Sequence, residues 1–207
     1  DIVFNELDAL VNVDLNTREI KENHTALNIV RIGTSGSLQA DIPVDSWVMS
    51  KYAIGLDNML RSYLIEEHSV AELEDAFIAQ TNWDLRKGRP TVVPCAETLE
   101  NKIYSDKFHK GFTGTAGGFY GPQGRVVRLN IQDPQLNSKM DAFNYNGTRM
   151  TNLEMETSAI YGLGKLLGHN CLSLNAIIAN RAVGEFSSNP EKTVNELIAY
   201  TLDKLIG

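Results

Sequence analysis

The chain has 207 residues, of which 43% are hydrophobic and 22% charged, with 16 Gly and 6 Pro; such a composition is neither collagen-like nor disordered, and a chain of this length buries roughly 70% of the surface it exposes when unfolded. Nineteen basic residues against 26 acidic ones leave a formal net charge of −7, which opposes attraction to phosphate polymers and to anionic membranes. No apolar run approaches the ~18 residues of a membrane crossing, and Asp1-Ile2-Val3-Phe4-Asn5-Glu6 lacks the basic start of a signal peptide, so the reading is a cytoplasmic protein with no nucleic-acid or membrane partner.

Val3, Leu7, Leu10 and Val11 recur near one face of a helix over residues 2–13, and residues 14–25 are polar and turn-like. Leu27-Asn28-Ile29-Val30-Arg31-Ile32 then reads as a buried strand that opens into a glycine loop at Gly33. A second strand fits 46–54, and Val70, Leu73, Phe77 and Ile78 mark an amphipathic helix after it. Residues 91–95 resemble a short strand and 97–104 a helix, while 108–115 form a strand that runs into a turn at Gly117-Gly118.

Further on, Thr157 or Ser158 is placed to cap a helix with apolar positions Ile160, Leu163, Leu166 and Leu167 and a stop at Gly168. Residues 171–179 are a nearly continuous apolar run, suited to a strand buried on both faces. Asn189 as cap and Pro190 in the first turn open a last helix whose stripe is Val194, Leu197, Ile198, Leu202 and Leu205. With no internal repeat and no linker-like shift in composition, the expected fold is α/β, a single domain over residues 1–207 with a central mixed β-sheet flanked by helices. Functional residues are expected at strand ends. Cys95 and Cys171 lie far apart in apolar runs and read as buried, reduced thiols.

Four segments carry residue types suited to chemistry. Arg31-Ile32-Gly33-Thr34-Ser35-Gly36 sets a guanidinium beside hydroxyls and accessible backbone amides, the parts of an anion site; the plainer alternative is an arginine paired with an acid above a tight turn. Phe119-Tyr120-Gly121-Pro122-Gln123-Gly124-Arg125 combines aromatic rings with two planar polar groups, which match the edge of a pyrimidine. A surface turn with solvated Gln123 and Arg125 is its alternative. In Asn152-Leu153-Glu154-Met155-Glu156-Thr157, Glu156 offers an acceptor for a vicinal diol and Met155 an apolar face for a sugar, although both glutamates would also complement a helix N-terminus. Arg181, after the apolar strand, is a fourth candidate, and an ordinary salt bridge to Glu185 or another acid is its alternative. His24, His68, His109 and His169 share no metal-ligand spacing, so no metal is expected, and neither a nucleophile elbow nor a long phosphate loop is present.

Taken in order and spacing, Arg31-Ile-Gly-Thr34-Ser-Gly36, Phe119-Tyr-Gly-Pro-Gln123-Gly-Arg125, Glu154-Met155-Glu156 and Asn180-Arg181 resemble the uridine phosphorylases of the nucleoside phosphorylase superfamily. The resemblance implies a pentosyltransferase that converts uridine and phosphate reversibly to uracil and ribose 1-phosphate, without a cofactor, in pyrimidine salvage. It assigns Arg31 and Thr34 to phosphate, with Thr34 also touching ribose. Uracil falls to Gly36, Phe119, Gln123, Arg125 and Arg181, and ribose to Glu154, Met155 and Glu156. Arg31, Thr34, Gln123 and Arg125 form the catalytic set. In purine-specific relatives an aspartate follows the last strand, where this chain has Asn180-Arg181.

The same resemblance implies a preceding segment on the order of a third of this length, with a Gly-Asp-Pro-x-Arg phosphate loop. Its absence leaves the expectation of a chain that starts inside a helix and has an incomplete phosphate site. It implies a homodimer or homohexamer as well, each site completed by a neighbouring subunit. A purine-nucleoside phosphorylase, a nucleosidase that uses water, and a non-catalytic nucleoside-binding protein are the competing readings.

Overall fold

A computed structural model describes residues 1–207. In chain order the elements are helix α1 (Ile2–Asn12), strands β1 (Asn28–Ser37) and β2 (Trp47–Gly55), helix α2 (Ala71–Thr81), strand β3 (Thr91–Pro94), helix α3 (Glu97–Ile103) and strand β4 (Phe108–Thr115). Helix α4 (Leu136–Ala142), strands β5 (Asn144–Tyr145) and β6 (Thr148–Glu154), helix α5 (Thr157–Leu167), strands β7 (Asn170–Asn180) and β8 (Glu185–Phe186), and helix α6 (Pro190–Ile206) follow.

The strands form one mixed sheet in the order β3-β2-β4-β6-β1-β7-β8, with β5 on β6. β1 runs parallel to β7, and β4 is parallel to both β2 and β6, whereas β1 and β6 are antiparallel. An additional antiparallel pairing of β2 with β7, at Trp47↔Ala176 to Met49↔Leu174, joins the two ends of the path. Strands β2, β4, β6, β1 and β7 therefore close into a ring, a feature that the strand pattern in the sequence does not reveal.

Helices cover the sheet in two groups. Met49, Ala53, Val93, Leu172 and Leu174 pack with residues of α3, α5 and α6, among them Leu99, Tyr161 and Leu197. Ile54, Phe112, Met150 and Leu153 pack with Phe77 of α2 and Met140 of α4. Burial of such side chains, about 1.5–3 kcal/mol each, is the main stabilising contribution.

Between these layers each strand of the ring contributes a polar residue to one connected network. Ser50 and Thr113 bond hydroxyl to hydroxyl at 2.5 Å, Thr113 donates to Asn152 Oδ1 at 2.8 Å, and Asn152 Nδ2 donates to Ser35 Oγ at 2.8 Å. Asn175 Nδ2 reaches Ser50 Oγ at 3.5 Å. All five are buried, and their mutual pairing offsets the cost of taking them out of water. Tyr161 fastens α5 to the ring, donating to the Ser50 carbonyl at 2.6 Å and accepting from the Ser173 amide at 2.9 Å.

Several expectations change. β1 does not open into a loop at Gly33 but continues to Ser37; Gly33 serves packing, since a Cβ there would lie 2.5 Å from the Arg31 guanidinium. Neither Thr157 nor Ser158 caps α5. Glu156 occupies the cap position, and the Glu154 carboxylate accepts from the amides of Glu156 and Thr157 at 3.0 and 2.9 Å. On α1 the stripe Val3, Leu7 and Leu10 faces outward, and Phe4 and Asn12 are the buried residues. Asn12 turns inward because its amide and carbonyl are taken by the Thr25 backbone at 3.2 and 2.6 Å. Leu197 of α6 is buried, but Ile198 and Leu202 stay exposed. Strands β5, β6 and β8 and helix α4 have no counterpart in the sequence reading.

The helices at 97–103 and 190–206 and the strands at 47–55, 91–94, 108–115 and 170–180 match expectation within two residues, and the helix marked by Val70, Leu73, Phe77 and Ile78 runs over Ala71–Thr81. Gly168 ends α5 in the left-handed conformation at φ 78°, and Asn189 Oδ1 accepts from the Lys192 amide at 3.2 Å. Both cysteines are free and buried. No helix is long and apolar enough to cross a membrane.

Candidate active site

The four sequence segments meet around β1. Arg31, Thr34 and Gly36 follow one another along this strand, with Ser173, Ala176 and Ala179 of β7 opposite them on one side. On the other side Gly36 pairs with Leu153 of β6, which leads directly into Glu154-Met155-Glu156 at the head of α5. Arg181 leaves the end of β7, and its amide donates to the Ser37 carbonyl at 2.9 Å.

Arg31 is held at both ends of its guanidinium. Nη1 donates to Asn175 Oδ1 at 2.9 Å and to Ser173 Oγ at 3.3 Å, and Nη2 lies 2.5 Å from Glu156 Oε2 and 3.5 Å from Glu154 Oε2. The pairing with acids matches the plainer alternative, yet the acids are the two glutamates of the expected sugar site. Thr34 is exposed on the same strand.

Glu154 and Glu156 differ in what they can still do. Glu154 is 4% exposed; Oε1 accepts from Thr115 at 2.6 Å, and Oε2 accepts from the Thr157 hydroxyl at 2.8 Å besides the two amides of α5. Its acceptors are thus engaged by protein donors, and it serves as the cap of α5 and as an anchor for Arg31. Burial pushes its carboxyl above the usual range, while Arg31 and the hydrogen bonds oppose that rise. The Glu156 side chain is 55% exposed and bonded to Arg31, and Met155 beside it is exposed.

The loop after β4 closes the other end of the site. Gly121–Gln123 form a short 3-10 turn, and Gly124 follows it at φ 73°. Gln123 is not a solvated surface residue: it is 2% exposed, and its Oε1 accepts from Arg125 Nη1 at 2.8 Å and from Arg181 Nη2 at 2.5 Å. Arg181 Nη1 also donates to the Gln123 carbonyl at 3.1 Å, so the alternative pairing of Arg181 with Glu185 does not occur. The Arg125 guanidinium stacks on Phe119 at 3.8 Å from the ring centroid and bonds to the Phe119 carbonyl. Gly36 leaves room for Arg181, whose Nε would lie 2.9 Å from a Cβ at that position.

Two guanidiniums on one amide oxygen make this corner electropositive. Burial, with Arg125 alongside, pushes Arg181 down to about 10, and burial also lowers Arg125. Both cations are thus raised in energy until an anion approaches.

Sequence reasoning passed over the residues that aim these groups. Ser173 and Asn175, two residues apart in a run read as apolar, hold Arg31. Asn180, named in the sequence beside Arg181, is buried and sets the turn that Arg181 leaves from: Nδ2 donates to the carbonyls of Gln39 and Ile42 at 3.0 and 2.8 Å, and Oδ1 accepts from the amides of Ala182 and Val183 at 2.9 and 3.2 Å. For Ser173 and Asn175 the signal is two polar residues at period two within an apolar strand.

Residues 10–206 match the family described as the Phosphorylase superfamily. The chain belongs to this superfamily. A uridine phosphorylase of Thermococcus kodakarensis is 28% identical over 185 residues, 86% of this chain but only 57% of that relative's length. A DeoD-type purine nucleoside phosphorylase of Tolumonas auensis is 26% identical over 92% of this chain and 68% of its own length. Among solved structures, a Trypanosoma brucei nucleoside phosphorylase that shows uridine phosphorylase activity superposes with a TM-score of 0.84 at 24% identity, covering 99% of this chain and 75% of that one. That likeness establishes the nucleoside phosphorylase fold, a central sheet flanked by helices.

Proposed function

We propose that this phosphorylase superfamily member cleaves uridine with inorganic phosphate, giving uracil and ribose 1-phosphate. The observation that carries the reading is the buried Gln123 amide, fixed by Arg125 and Arg181 beside the Phe119 ring. With Oε1 held by both guanidiniums, Nε2 is oriented to donate to a base carbonyl, and the ring offers a face to a flat heterocycle.

In the proposed reaction a phosphate oxygen bonds to C1′ of the ribose while the C1′–N1 bond breaks, and its electron pair leaves with uracil, which then takes up a proton. Negative charge therefore grows on the base in the transition state. Donors from Gln123, Arg125 and Arg181 strengthen as it does, which is the differential stabilisation that lowers a barrier. Arg31 and Thr34 hold phosphate. Glu156, exposed beside Arg31, accepts from ribose hydroxyls with Met155 against the sugar, so one guanidinium links the two reacting partners. Glu154 acts through the cap of α5 and through Arg31. No cofactor takes part, and phosphate is the second substrate.

One arginine and one hydroxyl are a sparse cradle for a phosphate dianion. Completion of the site by a neighbouring copy, in a homodimer or homohexamer, is part of the proposal. The named purine phosphorylase relative keeps purine nucleosides as the competing substrates.

Incubation of the protein with uridine, inosine or adenosine, each with and without phosphate, tests the reading through release of free base. Phosphate-dependent release of uracil in preference to purine is expected. Preference for a purine would reassign the base corner, phosphate-independent release would make the protein a nucleosidase, and uridine binding without turnover would leave a binding protein.

A further inference from the structure

The loop that carries Gln123 and Arg125 also borders a second space. Pro122, Leu129 and Ile131 line a cavity of about 800 Å³ together with Leu56 and Trp83. This lies within the roughly 300–1,000 Å³ usual for small-molecule sites. Of the residues assigned above to substrates, only Arg125 lines it, so it is distinct from the groove along β1.

Its charge is one-sided. Lys87, Arg125 and Arg128 are the cations in its wall and Asp133 is the carboxylate, but Asp133 is already engaged by Lys139 at 2.9 Å and by the Gln135 amide at 3.1 Å. Asp84, nearby, is bound by Arg86 and by Gln132 Nε2 at 2.5 Å. Neither Lys87 nor Arg128 has an acid within ion-pair distance, and Lys87 Nζ instead lies over the Trp83 ring, 4.4 Å from its centroid. Burial lowers the Lys87 ammonium from its ordinary value, and an incoming anion relieves that cost.

The cation is also held in place. Trp83 Nε1 donates to the Gly88 carbonyl at 2.8 Å, and its ring packs 5.7 Å from that of Phe77. Asn58 Nδ2 donates to the Lys87 carbonyl at 2.6 Å. Gly88, at φ 91°, lets that side chain in, since a Cβ there would fall 2.0 Å from Asn58 Nδ2. A fixed Trp83 ring with a partly desolvated, unpaired cation over it, facing apolar side chains across the cavity, is a recognition surface for one kind of molecule.

We propose that this cavity is a second ligand site and that it takes a small planar aromatic anion, ring against Pro122, Leu129 and Ile131 and anionic group at Lys87 and Arg128. The proposal does not depend on the reaction proposed above. Because Arg125 borders both spaces, an occupant of the cavity is coupled to the base corner, and binding at either place shifts affinity at the other.

Titration calorimetry with 2-naphthoate, and with 2-naphthamide as its uncharged isostere, tests the site. One naphthoate per chain is expected, with the amide about tenfold weaker or more, a difference of about 1.4 kcal/mol. Lys87→Gln should weaken naphthoate by a similar factor and leave the amide unchanged, and Leu129→Asp, at an exposed position, should weaken both. Arg128→Gln, also exposed, repeats the charge test should Lys87→Gln disturb the fold, which circular dichroism and thermal midpoint report. Saturating uracil should change naphthoate affinity without abolishing binding. Equal affinity for naphthoate and amide, no response to the charge variants, one-for-one displacement by uracil, or no heat at millimolar ligand would each overturn the proposal.

Discussion

Arg181 at the end of β7 and Gln123 in the loop after β4 are separated by 58 residues in sequence and joined by a 2.5 Å hydrogen bond from Nη2 to Oε1. The bond fixes the amide orientation of Gln123 and brings a second guanidinium within reach of whatever Gln123 holds. Replacing Arg181 or Arg125 by Ala should lower kcat/KM for uridine more than tenfold, about 1.4 kcal/mol, with far-UV circular dichroism unchanged. Steady-state kinetics that match the unaltered protein would remove the residue from the base corner.

Arg31 depends on Asn175 for its direction. Arg31→Ala is expected to cut phosphate-dependent turnover more than tenfold, and Asn175→Ala by a smaller factor expressed chiefly in the KM for phosphate. Gly33→Ala is expected to act on the same parameter, because its methyl would occupy the place of the Arg31 guanidinium. Phosphate KM values of the three variants decide the matter, and an unchanged KM in Asn175→Ala would show that Arg31 keeps its aim without it.

Glu156 and Glu154 should separate in kinetics. Glu156→Gln is expected to reduce turnover of uridine more than that of 2′-deoxyuridine, since only the former has the 2′-hydroxyl to lose. Glu154→Gln is expected to lower the melting temperature, because an amide NH₂ would be set against donors that now meet a carboxylate. Equal losses on both nucleosides in Glu156→Gln would contradict its sugar role.

Cys95 and Cys171 are pushed up to about 12 by burial, and Glu100 adds to the rise at Cys95. Neither thiol should react with Ellman's reagent at pH 8 in the folded protein, and both should react in guanidinium chloride. Unfolded thiols ionise near pH 9, so between about 9 and 12 the folded state holds more protons than the unfolded one and stability falls as pH rises. Cys95→Ala should flatten that decline, and fast labelling of the native protein would refute the burial argument.

Local physics made most elements legible. Strand 170–180 shows in its apolar run and strand 108–115 in the Gly117-Gly118 turn that follows it, and α6 is announced by Asn189-Pro190 and the end of α5 by Gly168 after an amphipathic run, because caps and stops act over a few residues. Strand β6 carries no apolar signature, because Thr148-Arg149-Met150-Thr151-Asn152 is mostly polar. Thr151 and Asn152 are buried there because β4 and β1 supply their partners. The exposed stripe of α1 has the same origin in reverse: periodicity shows that a face is apolar, and only packing shows which face is covered.

The sequence by itself determined the alternation of strands and helices, the two buried thiols, and the four segments that carry the arginines, the glutamine and the glutamates of the site. Tertiary structure alone decided that β2 meets β7 and closes the ring, that Glu154 is committed to the α5 cap while Glu156 is exposed and paired with Arg31, and that Arg181 turns to Gln123 and not to Glu185. The reason is range: capping, turns and periodicity act between near neighbours, whereas the partner of a buried charge is whichever group the folded backbone brings within about 3 Å of it.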